Sequence, residues 1–502
     1  MKPHGVLGPA YVASVLLLFA NIVLGGATRA GFLADVLLQF LSVPFLALAA
    51  WLWLDRLKVR PSGARWSIGL ACGIGLAAVG LAIALAQFVP LFGAPGWDGL
   101  SARIVDSGGA ALKDWAWTGS SSLDPAASIA ALPAVLPPLA LFLLVALLDE
   151  GQRVRFAGWT VGFGLLALAL GVTQVMQGPT SPLRFFEISN RLESIGFFAN
   201  RNHFAAQLYV TFLLGVAWLV GRGERVLAPR RPMGRKVIWL ASAFGFGVLL
   251  LAGIALARSR AGILLLLVAL AGVVVMAPVI LAVLNGRALP HRRVRGLVGL
   301  VLAGMLLLVG QLGADRFLGR FGGGIVDRLR TVVNATTFEA AVEALPFGTG
   351  LGTFTAVFPL YEGASTLSPQ FVNRAHNDWL ELFLETGLAG VLLLALFLVW
   401  FVDRVYRIWI SPLAAGELRL RLLQQCASLA VLLLMLHSFV DYPLRTATML
   451  AYFAACCALM MPSRTAAWPD AAEGVAADPV AASLPAKRRE LSRRSAEAGA
   501  PP

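Results

Sequence analysis

The chain has 502 residues, 58% of them hydrophobic and only 14% charged, with a formal net charge of +14. That balance excludes an ordinary soluble domain. It also sets aside the nucleic-acid partner that a basic chain suggests, because Lys and Arg cluster between apolar runs in the positive-inside pattern of membrane proteins.

Apolar runs, each long enough to cross a hydrocarbon core of about 30 Å, predict helices at 7–25, 32–54, 67–89, 128–148, 156–176, 203–221, 237–257, 261–284, 297–313, 379–402, 422–440 and 447–461. The fold class is therefore an all-α polytopic membrane protein of about twelve transmembrane helices, with residues 1–462 as the membrane domain. The first run lacks a small-residue cleavage site and is soon followed by a second, so no cleavable signal peptide is expected. Basic clusters at Arg56–Arg65, Arg153 and Arg155, Arg222–Lys236, Arg287–Arg295, and Arg404–Arg421 put these loops and both termini on the cytoplasmic side. Segments 90–127, 177–202, 314–378 and the turn from His437 to Arg445 then lie on the opposite side. Cys72, Cys426, Cys456 and Cys457 all fall inside apolar runs and read as small core residues. After Pro462 the chain turns rich in Ala, Pro, Ser and charge, so 463–502 is expected to be a disordered cytoplasmic tail. Its basic pairs, Lys487-Arg488-Arg489 and Arg493-Arg494, either touch anionic lipid or are simply solvated. No internal repeat is visible, which counts against a transporter built from two related bundles.

Polar residues gather at the outer helix ends. Asn200-Arg201-Asn202-His203 opens the sixth helix, and Arg258-Ser259-Arg260 fills the turn between the seventh and eighth. The long segment 314–378, which includes a partly helical loop, supplies Arg316, Arg320, Arg328 and Arg330 before Arg374, His376 and Asn377. His437, Asp441 and Arg445 end the eleventh helix. An Arg costs roughly 2.5–3.5 kcal/mol at the bilayer centre and less near the interface, so several on the side poor in charge imply a use. Planar, always charged guanidinium binds phosphate bidentately, which suits a diphosphate headgroup. Each residue also has a plainer reading. Arg258 and Arg260 can snorkel and stop a helix, Arg201 can satisfy neighbouring carbonyls, and His203 can be a hydrogen-bonded structural histidine. Arg328 and Arg330, beside Asp327, can form a solvated face of a loop helix. His437 with Asp441 reads as a structural helix end. His376 stands apart: a neutral imidazole where the loop re-enters the membrane can act as a general base.

Other chemistries lack support. There is no Cys/His metal spacing, Walker loop or dinucleotide fingerprint, so neither metal nor cofactor is expected. Phe321-Gly322-Gly323-Gly324 and Gly348-Thr349-Gly350-Leu351-Gly352 follow no Rossmann-like strand, and the second is expected to shape a tight turn. Asp and Glu are too sparse outside for a paired-carboxylate glycosidase.

The chain resembles the bacterial O-antigen ligase and O-antigen polymerase superfamily. The resemblance rests on Gly196-Phe197-Phe198-Ala199-Asn200-Arg201-Asn202-His203-Phe204-Ala205-Ala206, Ser259-Arg260-Ala261-Gly262, Pro346–Phe354, Ala375-His376-Asn377, Leu380-Glu381 and Glu385-Thr386-Gly387-Leu388-Ala389-Gly390. The shared core runs from about 195 to 440. Ser121–Ser128 is similar to a pre-helix loop of exopolysaccharide polymerase-like members. The resemblance implies a metal-independent, GT-C-like transferase that takes a glycan from undecaprenyl diphosphate. The acceptor would be lipid A–core for a ligase, or another lipid-linked glycan for a polymerase. Protein O-oligosaccharyltransferase is a further alternative, and a lipid-linked sugar transporter is the rival from another class. On this reading Arg201, Arg258, Arg260 and Arg330 bind the diphosphate, His376 and Arg374 are catalytic, and Asn200, His203 and Asn377 support them. Loop 314–378 would close as a lid over an inverting, in-line attack.

Overall fold

The computed structural model describes residues 8–29, 32–58, 67–89, 121–186, 191–285, 291–311, 324–363, 372–411 and 417–462. The expected tail 463–502, most of segment 90–127, Phe321-Gly322-Gly323, Arg316 and Arg320 lie outside these residues, as does the side chain of Arg328. Every regular element described is helical. In chain order they are α1 (Pro9–Leu24), α2 (Leu33–Lys58), α3 (Ile68–Ala86), α4 (Pro125–Ala131), α5 (Leu136–Ala146), α6 (Glu150–Met176), α7 (Arg201–Val226), α8 (Met233–Ala257), α9 (Arg260–Asn285), α10 (His291–Gln311), α11 (Gly324–Glu343), α12 (Phe354–Val357), α13 (Asp378–Trp409), α14 (Leu418–His437) and α15 (Ala447–Leu459).

Among the described residues, nine helices are long and apolar enough to cross a membrane, with α4 and α5 forming one of them. Shorter apolar helices, Pro9–Leu24, Arg295–Leu307 and Ala447–Leu459, hold the three remaining positions expected from the apolar runs. The chain is a multi-pass membrane protein. Helices α7 and α14 form its interior: 78% of the apolar window of each is buried, against 11% for α3. Without a hydrophobic drive between helices in lipid, close backbone approach through small residues has to hold them together. Gly262 of α9 lies where an added Cβ would come within 2.6 Å of Ala205 Cβ on α7.

The basic clusters do not all face solvent. Arg153 is completely buried, and its guanidinium donates to the carbonyls of Ala146, Leu148, Met461 and Pro462, capping the chain ends after α5 and α15. Arg56 donates to Leu147 O at 2.9 Å, and Arg421 Nη1 to the carbonyls of Arg407, Ile408 and Ser411 beyond α13. Cations belong at helix C-termini, where the last carbonyls lack intrahelical partners. Positive charge at this end therefore ties helices together.

At the opposite end, α13 is broken. Gly387 has φ +55 and ψ −142, a conformation that essentially only glycine adopts. Into the break the Gly348–Gly352 segment inserts its backbone. Leu388 N donates to Pro346 O at 2.9 Å, Thr349 N to Leu384 O at 2.9 Å, and Gly350 N to Glu385 O at 3.0 Å. The segment is thus more than the tight turn expected from its glycines. It supplies the partners that the interrupted helix lacks. Ser121–Ser128 completes the joint: Leu123 N donates to Thr349 O at 2.8 Å and Ser128 Oγ to Leu351 O at 2.8 Å. Above it lies a small second core of Leu123, Ala340, Ala341, Phe354, Phe358 and Ala375, which makes the described part of the outer loop a folded unit.

Candidate functional site

The site is assembled from five chain segments. Asn200 caps α7, its side chain accepting from Asn202 N at 2.8 Å. That geometry turns both asparagine amides outward from the first turn. Each donates to Asp441 Oδ2, Asn200 at 3.3 Å and Asn202 through a shorter contact. Asp441, completely buried after α14, also accepts from Tyr442 N at 3.0 Å. Its other contact is His376, whose Nδ1 stands 3.2 Å from Asp441 Oδ1.

His376 is partly exposed, at 29% of its side chain, while its aspartate is sealed. It has φ +55, rare for a residue with a Cβ. Contacts on both sides hold this conformation. Glu381 accepts from Ala375 N at 3.0 Å and from Arg374 Nη1 at 2.7 Å, and Asn377 caps α13 by accepting from the N–H groups of Trp379 and Leu380. Tyr442 packs edge-on against both His376 and His203, each with ring centres 4.9 Å away.

Electrostatics favour an ionised Asp441. Burial alone would raise its pKa, but the His376 hydrogen bond and the nearby histidines and Arg330 hold it well below the usual carboxylate range. Burial, then the Asp441 charge, push the Tyr442 phenol up to about 12, so it stays neutral beside the imidazole. An imidazole with Nδ1 on a buried carboxylate presents Nε2 for proton transfer, which is the arrangement of an oriented general base.

The predicted arginines divide into three groups. Arg201 Nη1 pairs with Glu193 Oε1 at 2.9 Å, and Arg258 Nη1 lies 4.0 Å from the same oxygen. Arg258 ends α8 with φ 49, Ser259 Oγ caps α9 by accepting from Gly262 N at 3.0 Å, and Arg260 is half-buried at the first position of α9. This Arg-Ser-Arg turn therefore sets two guanidiniums either side of a helix start. Arg330, half-buried on α11, acts electrostatically on Asp441. Arg374 forms a like pair, with buried Glu381 at 2.7 Å, at the start of α13. Nearby, Arg445 pairs with Glu385 at 2.6 Å and lies 3.5 Å from Glu381 and 3.9 Å from Asp378. Its carboxylate neighbours outweigh burial and keep it protonated.

His203 is fully buried, with Asn200 Nδ2 3.4 Å from its Nε2, so it lies behind the exposed histidine. His437, also buried, meets Tyr209 OH through Nδ1 at 3.1 Å. Asp441, read as a structural helix end, turns out to be the partner of His376. Its signal was an acidic residue in an outer turn otherwise poor in charge. Glu193 carried no signal, since its arginines lie in other segments. Among the described residues, no group of three or more His, Cys, Asp and Glu is arranged to hold a metal ion.

Residues 245–395 match the family model described as O-antigen ligase (Wzy_C). That stretch is similar to the O-antigen ligase family. It supports membership in the O-antigen ligase and polymerase superfamily, and hence an enzyme that transfers lipid-linked glycans in a membrane. No curated protein matches the chain. The matched stretch contains Arg258, Arg260, Arg330, Arg374 and His376, whereas Glu193, the Asn200–His203 turn and Asp441 come from outside it.

Proposed function

We propose that the protein transfers a glycan from undecaprenyl diphosphate to an acceptor hydroxyl at the periplasmic face of the inner membrane, in the manner of an O-antigen ligase. The observation that carries this reading is the His376–Asp441 pair beside the Arg201 and Arg258 helix ends. In the proposed reaction His376 Nε2 takes the proton of the acceptor hydroxyl as its oxygen attacks the anomeric carbon. The bond from that carbon to the diphosphate oxygen breaks, and the product anomer is inverted. Asp441 orients the imidazole and stabilises the imidazolium that forms. Arg201, Arg258, Arg260 and Arg330 stabilise the negative charge gathering on the departing diphosphate. The N-terminus of α7 adds its dipole to that field. Arg374 is assigned to holding the loop, and no metal takes part. The described outer loop is anchored in the α13 break, so its role is to frame the acceptor.

The test is purified protein reconstituted with a lipid-diphosphate glycan and candidate acceptors, without a membrane gradient. His376→Ala should lower transfer by about 10²–10⁴-fold while donor binding persists. Turnover at the wild-type rate would remove His376 from the mechanism, and gradient-dependent movement without transfer would favour a transporter. In cells, loss of a ligase leaves polymer on undecaprenyl diphosphate, whereas loss of a polymerase leaves single repeats. Transfer to a protein acceptor would instead mark an O-oligosaccharyltransferase.

A further inference from the structure

A second polar site lies at the end of the bundle away from His376. Arg404 is 26 residues along α13 from Asp378, roughly 39 Å at 1.5 Å per residue. There the ends of α13 and α15 and the start of α14 enclose a cavity of about 160 Å³ whose lining includes Arg404, Arg407, Arg421, Glu417 and Gln424.

Three observations mark it as an anion site. Arg404 is only 6% exposed, yet its Nε makes no hydrogen bond; the nearest carboxylate, Asp403 Oδ2, is 3.5 Å away. A buried guanidinium nitrogen with an ion pair to Asp403 but no hydrogen bond is under-satisfied, and an anion oxygen in the cavity would complete it. Second, α14 begins here without a side-chain cap: Glu417 occupies the N-cap position but makes no capping bond. The positive dipole end of a 20-residue helix therefore lies at the cavity. Third, the local packing accommodates the buried cation. A Cβ on Gly69 of α3 would collide with Arg404 Nη1 and lie 2.9 Å from its Cζ. Glycine there leaves room for the guanidinium, while Trp400 Nε1 ties the helices together through Gly69 O at 2.8 Å. Glu417 and Asp403 oppose three arginines. The carbonyl ends of α13 and α15 are met by Arg421 Nη1 and Gln424 Nε2.

We propose that this cavity binds the phosphate of an anionic phospholipid. The basic clusters at this end identify its leaflet as the cytoplasmic one, where anionic lipid attracts basic pockets between helices. Phosphate oxygens would take Arg404 Nε and the first-turn N–H groups of α14, with Arg407 closing the outer side. The acyl chains would remain in the leaflet. The site is independent of glycan transfer.

The test uses full-length protein in nanodiscs of phosphatidylcholine alone or with added phosphatidylglycerol, read by thermal unfolding and by native mass spectrometry of retained lipid. Phosphatidylglycerol should raise the unfolding temperature and remain bound. Arg404→Gln should weaken its retention about tenfold, the value of one charge-assisted bond. Arg407→Gln, at a 57% exposed side chain and so less disruptive to packing, should also weaken retention. Equal retention of both lipids, or wild-type retention by folded R404Q and R407Q, overturns the proposal. Millimolar inorganic phosphate is the second arm. Protection by phosphate without phosphatidylglycerol retention overturns the lipid assignment and identifies a free-anion site.

Discussion

Replacing Gly387 with alanine tests the joint that frames the site, because two descriptions of α13 predict opposite signs. In an uninterrupted helix, Gly→Ala would stabilise by about 0.5–1 kcal/mol. In the broken helix, alanine meets two costs. A conformation at φ +55 and ψ −142 costs a residue with a Cβ about 1–3 kcal/mol. The new methyl would also run into Pro346 O and lie 2.7 Å from Gly348 N, so the inserted backbone must move away. Losing two of its three bonds to 384–388 adds about 1 kcal/mol each. The total is destabilisation of about 3–5 kcal/mol. Thermal unfolding in detergent, followed by tryptophan fluorescence, measures it against wild type. Gly245→Ala is the control, since Gly245 lies in α8 with nothing within 4 Å of an added Cβ, and it should be neutral or mildly stabilising. A G387A protein as stable as wild type would refute the inserted-loop account.

Asp441→Asn should lower transfer by about 10–100-fold by misorienting His376, measured with saturating donor. The same variant carries a pH signature. Because Asp441 is held well below its ordinary range in the folded protein, its stabilisation is full above the unfolded value of about 4. It disappears as pH falls through the lower folded value. The stability gap between wild type and D441N should therefore close only under strong acidification. Arg445→Gln leaves Glu381, Glu385 and Asp378 without their shared cation and should destabilise by about 3–5 kcal/mol, read by the same thermal assay. Arg201→Gln and Arg258→Gln should each weaken donor binding about tenfold, whereas Arg374→Gln should act first on stability. Donor titration by tryptophan quenching separates these outcomes.

The apolar runs carried the helical framework because hydrophobicity is a local property. His376 and the outer arginines stood out because charge on that side is rare. Partners were illegible for the opposite reason: His376 and Asp441 are 65 residues apart, and no periodicity links them. The same holds for the pairs of Arg201 with Glu193 and of Arg374 with Glu381. Gly387 was visible in the Glu385–Gly390 motif but lay within a run predicted as one helix, where a glycine is usually a tolerated helical residue. The Gly348–Gly352 segment was visible as a turn, but its function depends on a helix break read elsewhere. Arg153 looked like a loop charge since its four acceptors are carbonyls, and every residue has one.

Asp441 has a consequence for biogenesis. It gathers contacts from Asn200, Asn202 and His376, yet it leaves the ribosome 65 residues after His376, just ahead of α15. Until then His376 has no carboxylate to aim it, and the amides at the head of α7 have no common acceptor. The nascent chain thus carries the head of α7 without this acceptor through most of its synthesis, and His376 meets its partner only once α14 has delivered its end.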